Sequence, residues 1–193
     1  MKLSKGTRLL ILGALLVVID QIIKVLVKTN MSLGETIDVI GDWFKLHYVL
    51  NEGMAFGMAF GGFLGKALLS IFRVVLFGFL CWWIRSLARS SETPAGVLVG
   101  LTLITAGAMG NIIDSFFYGL IWPEITMPGA PFAFMFGRVV DMFYFPLFDY
   151  KLPWMAHPQT FFGAVFNFAD SCVTVGAIYL LLFQYKFFSK EKN

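Results

Sequence analysis

Four stretches of this chain are apolar over about the 20 residues that a helix needs to cross a bilayer, and few folds are open to such a pattern. They cover residues 8–28, 63–85, 95–117 and 162–185. A helix satisfies its own backbone inside lipid, so the expected fold is an all-α membrane protein with four transmembrane helices. Of the 193 residues, 58% are hydrophobic and 14% charged, more apolar surface than a soluble domain of this length buries. No linker or repeat divides the chain, so residues 1–193 read as a single polytopic membrane domain. The first stretch is too long for a signal-peptide core and lacks a small-residue cleavage site, so it is expected to stay as a span.

Basic residues set the expected orientation. Lys2, Lys5, Arg8, Arg85, Arg89, Lys186, Lys190 and Lys192 gather on one side, while the long loops of the other side carry only Lys28, Lys45, Arg138 and Lys151. Both termini and the loop over 86–94 are then cytoplasmic, and the loops over 29–62 and 118–161 face outward. The net charge of +3 is topological and gives no nucleic-acid signal. Cys81 and Cys172 fall in different spans at different depths, which argues against a disulfide. With no HExxH or CxxC, no metal site or cofactor is expected.

In the first outer loop, Phe44, Leu46, Tyr48 and Leu50 alternate with other residues, which predicts a small extended element at the membrane surface. The second outer loop is apolar but broken by Pro123, Pro128 and Pro131, which predicts an interfacial loop or short helix.

An unpaired charge in a bilayer costs about 2.5–3.5 kcal/mol, so polar residues inside the spans are the informative ones. Asp20 and Lys24 are placed at helical i,i+4 spacing and can pair. Asn111 and Asp114 share a face near the outer end of the third span, and Asn167 and Asp170 repeat that spacing at the start of the fourth. Asp141 lies between them, where the outer loop returns to the bundle. Three carboxylates and two carboxamides thus converge just inside the outer leaflet. Two carboxyl groups close together share one proton, so one member takes a proton from water while the other donates to a carbonyl. That is the chemistry of an aspartic peptidase. A structural Asn/Asp network and a proton-coupled carrier or channel use the same acids and stay open on this ground. Arg73, inside the second span, calls for an interior partner and a structural role.

The pieces DQIIK at Asp20, NEGMAFG at Asn51, GNIIDS at Gly110, VVDM at Val139 and FNFAD at Phe166 follow one another along nearly the whole chain. In this order the sequence resembles bacterial lipoprotein signal peptidase, the type II signal peptidase. The resemblance implies an intramembrane aspartyl endopeptidase of the bacterial cytoplasmic membrane. It would remove the signal peptide of diacylglyceryl-modified prolipoproteins just before the lipidated cysteine. Its partners would be those prolipoproteins, membrane lipids and globomycin-type inhibitors. By match, Asp141 and Asp170 are the catalytic pair. Asn111, Asp114, Asn167 and Ala169 support them, Asn51 and Gly53 sit over the substrate, and Asp20 and Lys24 brace the region. Two departures stand out. Ser115 occupies the position where the family commonly has Arg, which makes Arg138 the expected replacement, and the stretches on both sides of Asp141 are longer than usual.

Overall fold

The computed structural model describes residues 3–52, 62–152, 154–155 and 157–190. Gly53, and most of the NEGMAFG piece, lie outside the described residues. The element order is α1 (Lys5–Asn30), β1 (Thr36–Ile40), β2 (Phe44–Asn51), α2 (Gly62–Ala88), α3 (Ala95–Ile121), β3 (Val139–Tyr144), β4 (Phe148–Tyr150), β5 (Gln159–Phe161), α4 (Phe168–Phe183) and α5 (Tyr185–Lys190).

Among the described residues three helices, α1, α2 and α3, are long and apolar enough to cross a membrane, and α4 is a shorter apolar helix of 16 residues. The fourth expected stretch is therefore corrected. Its first residues are not helical, because Asn167 caps the helix at Phe168 and Phe166 is drawn into a β-bridge with Phe143. The other spans begin and end within a few residues of expectation.

β1, β2 and β3 form an antiparallel sheet in that order, and β4 pairs with β5. The extended element expected at Phe44 to Leu50 is β2, and Tyr48, Leu46 and Leu50 pack into one apolar cluster with Val27, Tyr118, Ile125, Val140 and Met142. The all-α expectation understates this part. The Pro-broken stretch of the second outer loop is loop and short helix as expected, with a 3-10 turn at Pro123–Ile125, but the residues after it supply three strands, and Asp141 sits on the middle of β3 rather than in a loop.

α3 is the central helix. It is buried over most of its length and packs against α4, where small residues let the backbones approach closely. A Cβ built on Gly107 would collide with the carbonyl oxygen of Ala169, one residue before Asp170. Near its end α3 widens into a π-turn over Asp114–Tyr118. Such a turn loosens the local carbonyls. Here the loop after α3 takes them up, with Gly137 N–H donating to Ser115 O at 2.9 Å and Met135 N–H to Phe116 O at 3.3 Å.

α2 is the least embedded of the long helices. Its buried residues are Lys66, Ser70 and Leu80, while Phe63, Leu64, Leu68, Ile71, Phe72 and Val75 are exposed to the lipid side. An apolar cleft of about 1050 Å³ opens between α1, α2 and α3 at the Arg85 and Arg89 end, away from the acids.

Candidate active site

The start of α4 organises the site. Asn167 has extended backbone and acts as N-cap, and its Oδ1 accepts the Asp170 backbone N–H at 2.8 Å. Asp170 replies as the third helical residue, accepting the Asn167 backbone N–H at 3.3 Å, which completes a capping box. Asn167 and Asp170 are thus not two residues of one helix face. The first is the cap, and while its Oδ1 makes the cap bond its Nδ2 points sideways.

That carboxamide reaches Asp141. The Asn167 Nδ2 donates to Asp141 Oδ1 at 2.7 Å and to Asn111 Oδ1 at 3.1 Å. The strand is held there by its bridge to the cap, in which Phe143 N–H donates to Phe166 O at 2.7 Å and Phe166 N–H to Phe143 O at 3.1 Å. On the other side, Asn51 at the end of β2 donates its Nδ2 to Asp141 Oδ2 at 2.9 Å. Asp141 is 1% exposed. Burial first, and then the negative charge of Asp170, push its carboxyl above the usual carboxylate range, against the Asn51 and Asn167 hydrogen bonds.

Asn111 links Asp170 to a buried ion cluster. Its Nδ2 donates to Asp170 Oδ1 at 2.8 Å, and its Oδ1 accepts from Lys24 Nζ at 2.9 Å. Lys24 also pairs with Asp20 Oδ2 at 3.0 Å and Asp114 Oδ2 at 2.8 Å. All three ammonium hydrogens are used. The chain of donors fixes both carboxamides, because a reversed Asn111 would turn its NH2 toward Lys24 and its oxygen toward Asp170. Asp20 Oδ1 accepts the Ala169 N–H at 2.8 Å, so α1 holds the first turn of α4 directly. Asp114 Oδ2 accepts the Val140 N–H at 3.3 Å, which ties α3 to β3 one residue before Asp141.

The structure thus brings together Asp20, Lys24, Asn51, Asn111, Asp114, Asp141, Asn167, Ala169 and Asp170. Arg138 is not among them. Its guanidinium donates to the carbonyls of Ile125 at 3.1 Å and Glu124 at 3.0 Å, pinning the loop that follows α3. The cations beside Ser115 come from α2 instead: Arg73 Nη1 and Lys66 Nζ each lie 3.4 Å from Ser115 Oγ.

Three residues escaped the sequence reading. Gln21 donates to Asp20, Asp114 and the Gly110 carbonyl and accepts from Tyr118 Oη at 3.0 Å. Lys66 and Ser70 form one face of α2 with Arg73. The signal was present as polar residues at i, i+4 and i+7 in an apolar helix.

This cluster is a carboxylate–carboxamide centre enclosed by apolar helices, as expected of an enzyme that works at a membrane. A family model described as Signal peptidase (SPase) II matches residues 12–186. The chain belongs to that family, and it is a protease of multi-pass bacterial membrane character. Among curated relatives, the lipoprotein signal peptidase of Porphyromonas gingivalis is 43% identical over 194 residues, covering 94% of this chain and 84% of the relative. That of Amoebophilus asiaticus is 39% identical over 177 residues, covering 89% and 75%. A bacterial membrane enzyme solved by the in meso method at 2.3 Å resolution shares the fold, with a TM-score of 0.65, 21% identity and coverage of 97% of this chain and 93% of that one. The family assignment favours the peptidase reading of the buried acids over the carrier reading.

Proposed function

We propose that this protein is an aspartyl endopeptidase that removes the signal peptide from diacylglyceryl-modified prolipoproteins, cleaving before the lipidated cysteine. The observation that carries this is Asn167, which donates to Asp141 through its side chain and to Asp170 through its backbone. One residue thereby holds both acids.

Asp141, buried and raised, holds the proton. Asp170 is partly exposed, accepts two N–H bonds and sits in the first turn of α4. Asp170 takes a proton from water as the water oxygen bonds to the scissile carbonyl carbon. Asp141 gives its proton to the carbonyl oxygen, forming a gem-diol. Asp170 then protonates the leaving nitrogen as the C–N bond breaks, and one diol hydroxyl returns its proton to Asp141. Asn111 and Asn167 hold the acids in place. The sequence match assigns Asn51 and Gly53 to substrate binding, and a globomycin-type inhibitor would occupy the same place.

The chain forms one polytopic domain crossing the membrane four times, with both termini cytoplasmic and the acids near the outer leaflet. At 1.5 Å per residue the 16 residues of α4 span about 24 Å, short of a hydrocarbon core of about 30 Å. Its capped end therefore stands inside the leaflet, at the depth where a lipid-anchored substrate presents its scissile bond.

The test is processing of a diacylglyceryl-modified prolipoprotein by purified protein in lipid. Asp141→Asn and Asp170→Asn each lose about 10²-fold or more of the rate while the fold persists. Wild-type-like processing by either variant overturns the assignment.

A further inference from the structure

Lys66 has an environment that the peptidase chemistry does not use. It is 0% exposed, on a helix whose outward half also buries Ser70 but exposes Phe63, Leu64, Leu68, Ile71 and Phe72. Among the described residues its one hydrogen bond is long, 3.4 Å to the neutral Ser115 hydroxyl, and no carboxylate lies within ion-pair distance of it. An ammonium has three donors. Two turns further along, Arg73 directs Nη1 to the same hydroxyl. Ser115 follows Asp114 in the π-turn, so this cationic shelf adjoins the acids while α2 borders the lipid.

Charge balance limits what the shelf accepts. Lys24 with Asp20 and Asp114 leaves one negative charge, and Asp141 and Asp170 sharing a proton leave another. Lys66 and Arg73 cancel both. A balanced, water-poor cluster suits a neutral oxygen acceptor better than an anion. On a polar stripe flanked by lipid-exposed Phe63, Leu64, Ile71 and Phe72, the matching neutral acceptors are ester carbonyls at the root of acyl chains.

We propose that Lys66 and Arg73, with Ser115, form a subsite for the acyl-ester carbonyl oxygens of the lipid-modified substrate. This rests on the proposed function. Lys66 makes the stronger contact because it is the less satisfied group. The subsite holds the diacylglyceryl group on α2 so that the adjoining peptide bond reaches Asp141 and Asp170.

The test compares a diacylglyceryl prolipoprotein with its dialkyl-ether analogue, using wild type and Lys66→Met in micelles and in bilayers of ester or ether phospholipid. Loss of a hydrogen bond to a charged donor raises KM roughly 10- to 100-fold for wild type on the ether substrate, with kcat little changed. Lys66→Met raises KM for the ester substrate similarly and treats both substrates alike, and Lys66→Arg restores part of the difference. Equal KM values for the two substrates with wild type overturn the proposal without any variant. So do losses that multiply when variant and ether are combined, or an effect that follows the bilayer lipid rather than the substrate. If wild type cleaves neither substrate, the proposed function itself has failed, and the subsite falls with it.

Discussion

Replacing Lys24 with Met tests whether the buried ion cluster carries the site. Lys24 is 0% exposed and makes three close contacts, to Asp20 at 3.0 Å, Asp114 at 2.8 Å and Asn111 at 2.9 Å. Met fills nearly the same volume, so packing changes little. What is lost is the ammonium between two carboxylates that are 1% and 0% exposed. Breaking a buried pair by removing one partner costs about 3–5 kcal/mol, because the other charge is left uncompensated. Here two carboxylates lose their partner, so the upper end of that range is expected. Asn111 also loses the contact that orients its carboxamide toward Asp170, so activity falls further than stability alone explains. The double variant Lys24→Met/Asp114→Asn removes one charge of each sign and recovers about half of the stability. The assay is denaturant or thermal unfolding of the four species of this cycle in micelles, with processing measured in parallel. A Lys24→Met protein within about 1 kcal/mol of wild type, or a cycle with no coupling, would refute the idea that these charges hold one another.

Three further outcomes follow from the same geometry. Asn167→Ser keeps an N-cap side chain and so loses only a few tenths to about 1 kcal/mol of stability, yet it removes the donor to Asp141 and lowers processing roughly 100-fold; equal loss from Asn167→Ser and Asn167→Ala in unfolding, with activity kept in both, would contradict it. Gly107→Ala drives a methyl into the Ala169 carbonyl and costs roughly 1–3 kcal/mol while shifting the first turn of α4, seen as a lower unfolding midpoint and reduced kcat together. The rate should be bell-shaped in pH: because Asp141 is raised in the folded protein, its proton is lost, and activity with it, only as pH rises through that raised value, and the fold is relieved of a cost below it. A flat profile from mildly acidic to alkaline pH, with chemistry limiting the rate, would exclude a shared proton.

Much of the centre was legible because its residues stand out against an apolar background. In a helix that faces lipid, Asp20, Lys24, Asn111, Asp114 and Asp170 have no solvation except one another, so their presence already implies an enclosed cluster. The pairing of Asn51 with Val139 and the role of β3 were not legible. VVDM is too short and too uniformly apolar to show a period, and it becomes a strand because β2 offers an edge and the Phe143 and Phe166 backbones close on each other. Arg138 and Arg73 show the same limit. Sequence proximity to Asp141 favoured Arg138, but its guanidinium is taken by two loop carbonyls, whereas Arg73 arrives from another helix at the right height.

Hydropathy and the spacing of charged residues determined a helical membrane protein with acids buried at one level, since those features depend only on which residues must avoid or share lipid. Tertiary structure decided which neighbours hold the acids. Asp141 and Asp170 are joined by the cap at Asn167 and the strand bridge beside it, contacts between segments far apart in the chain whose register no local pattern encodes.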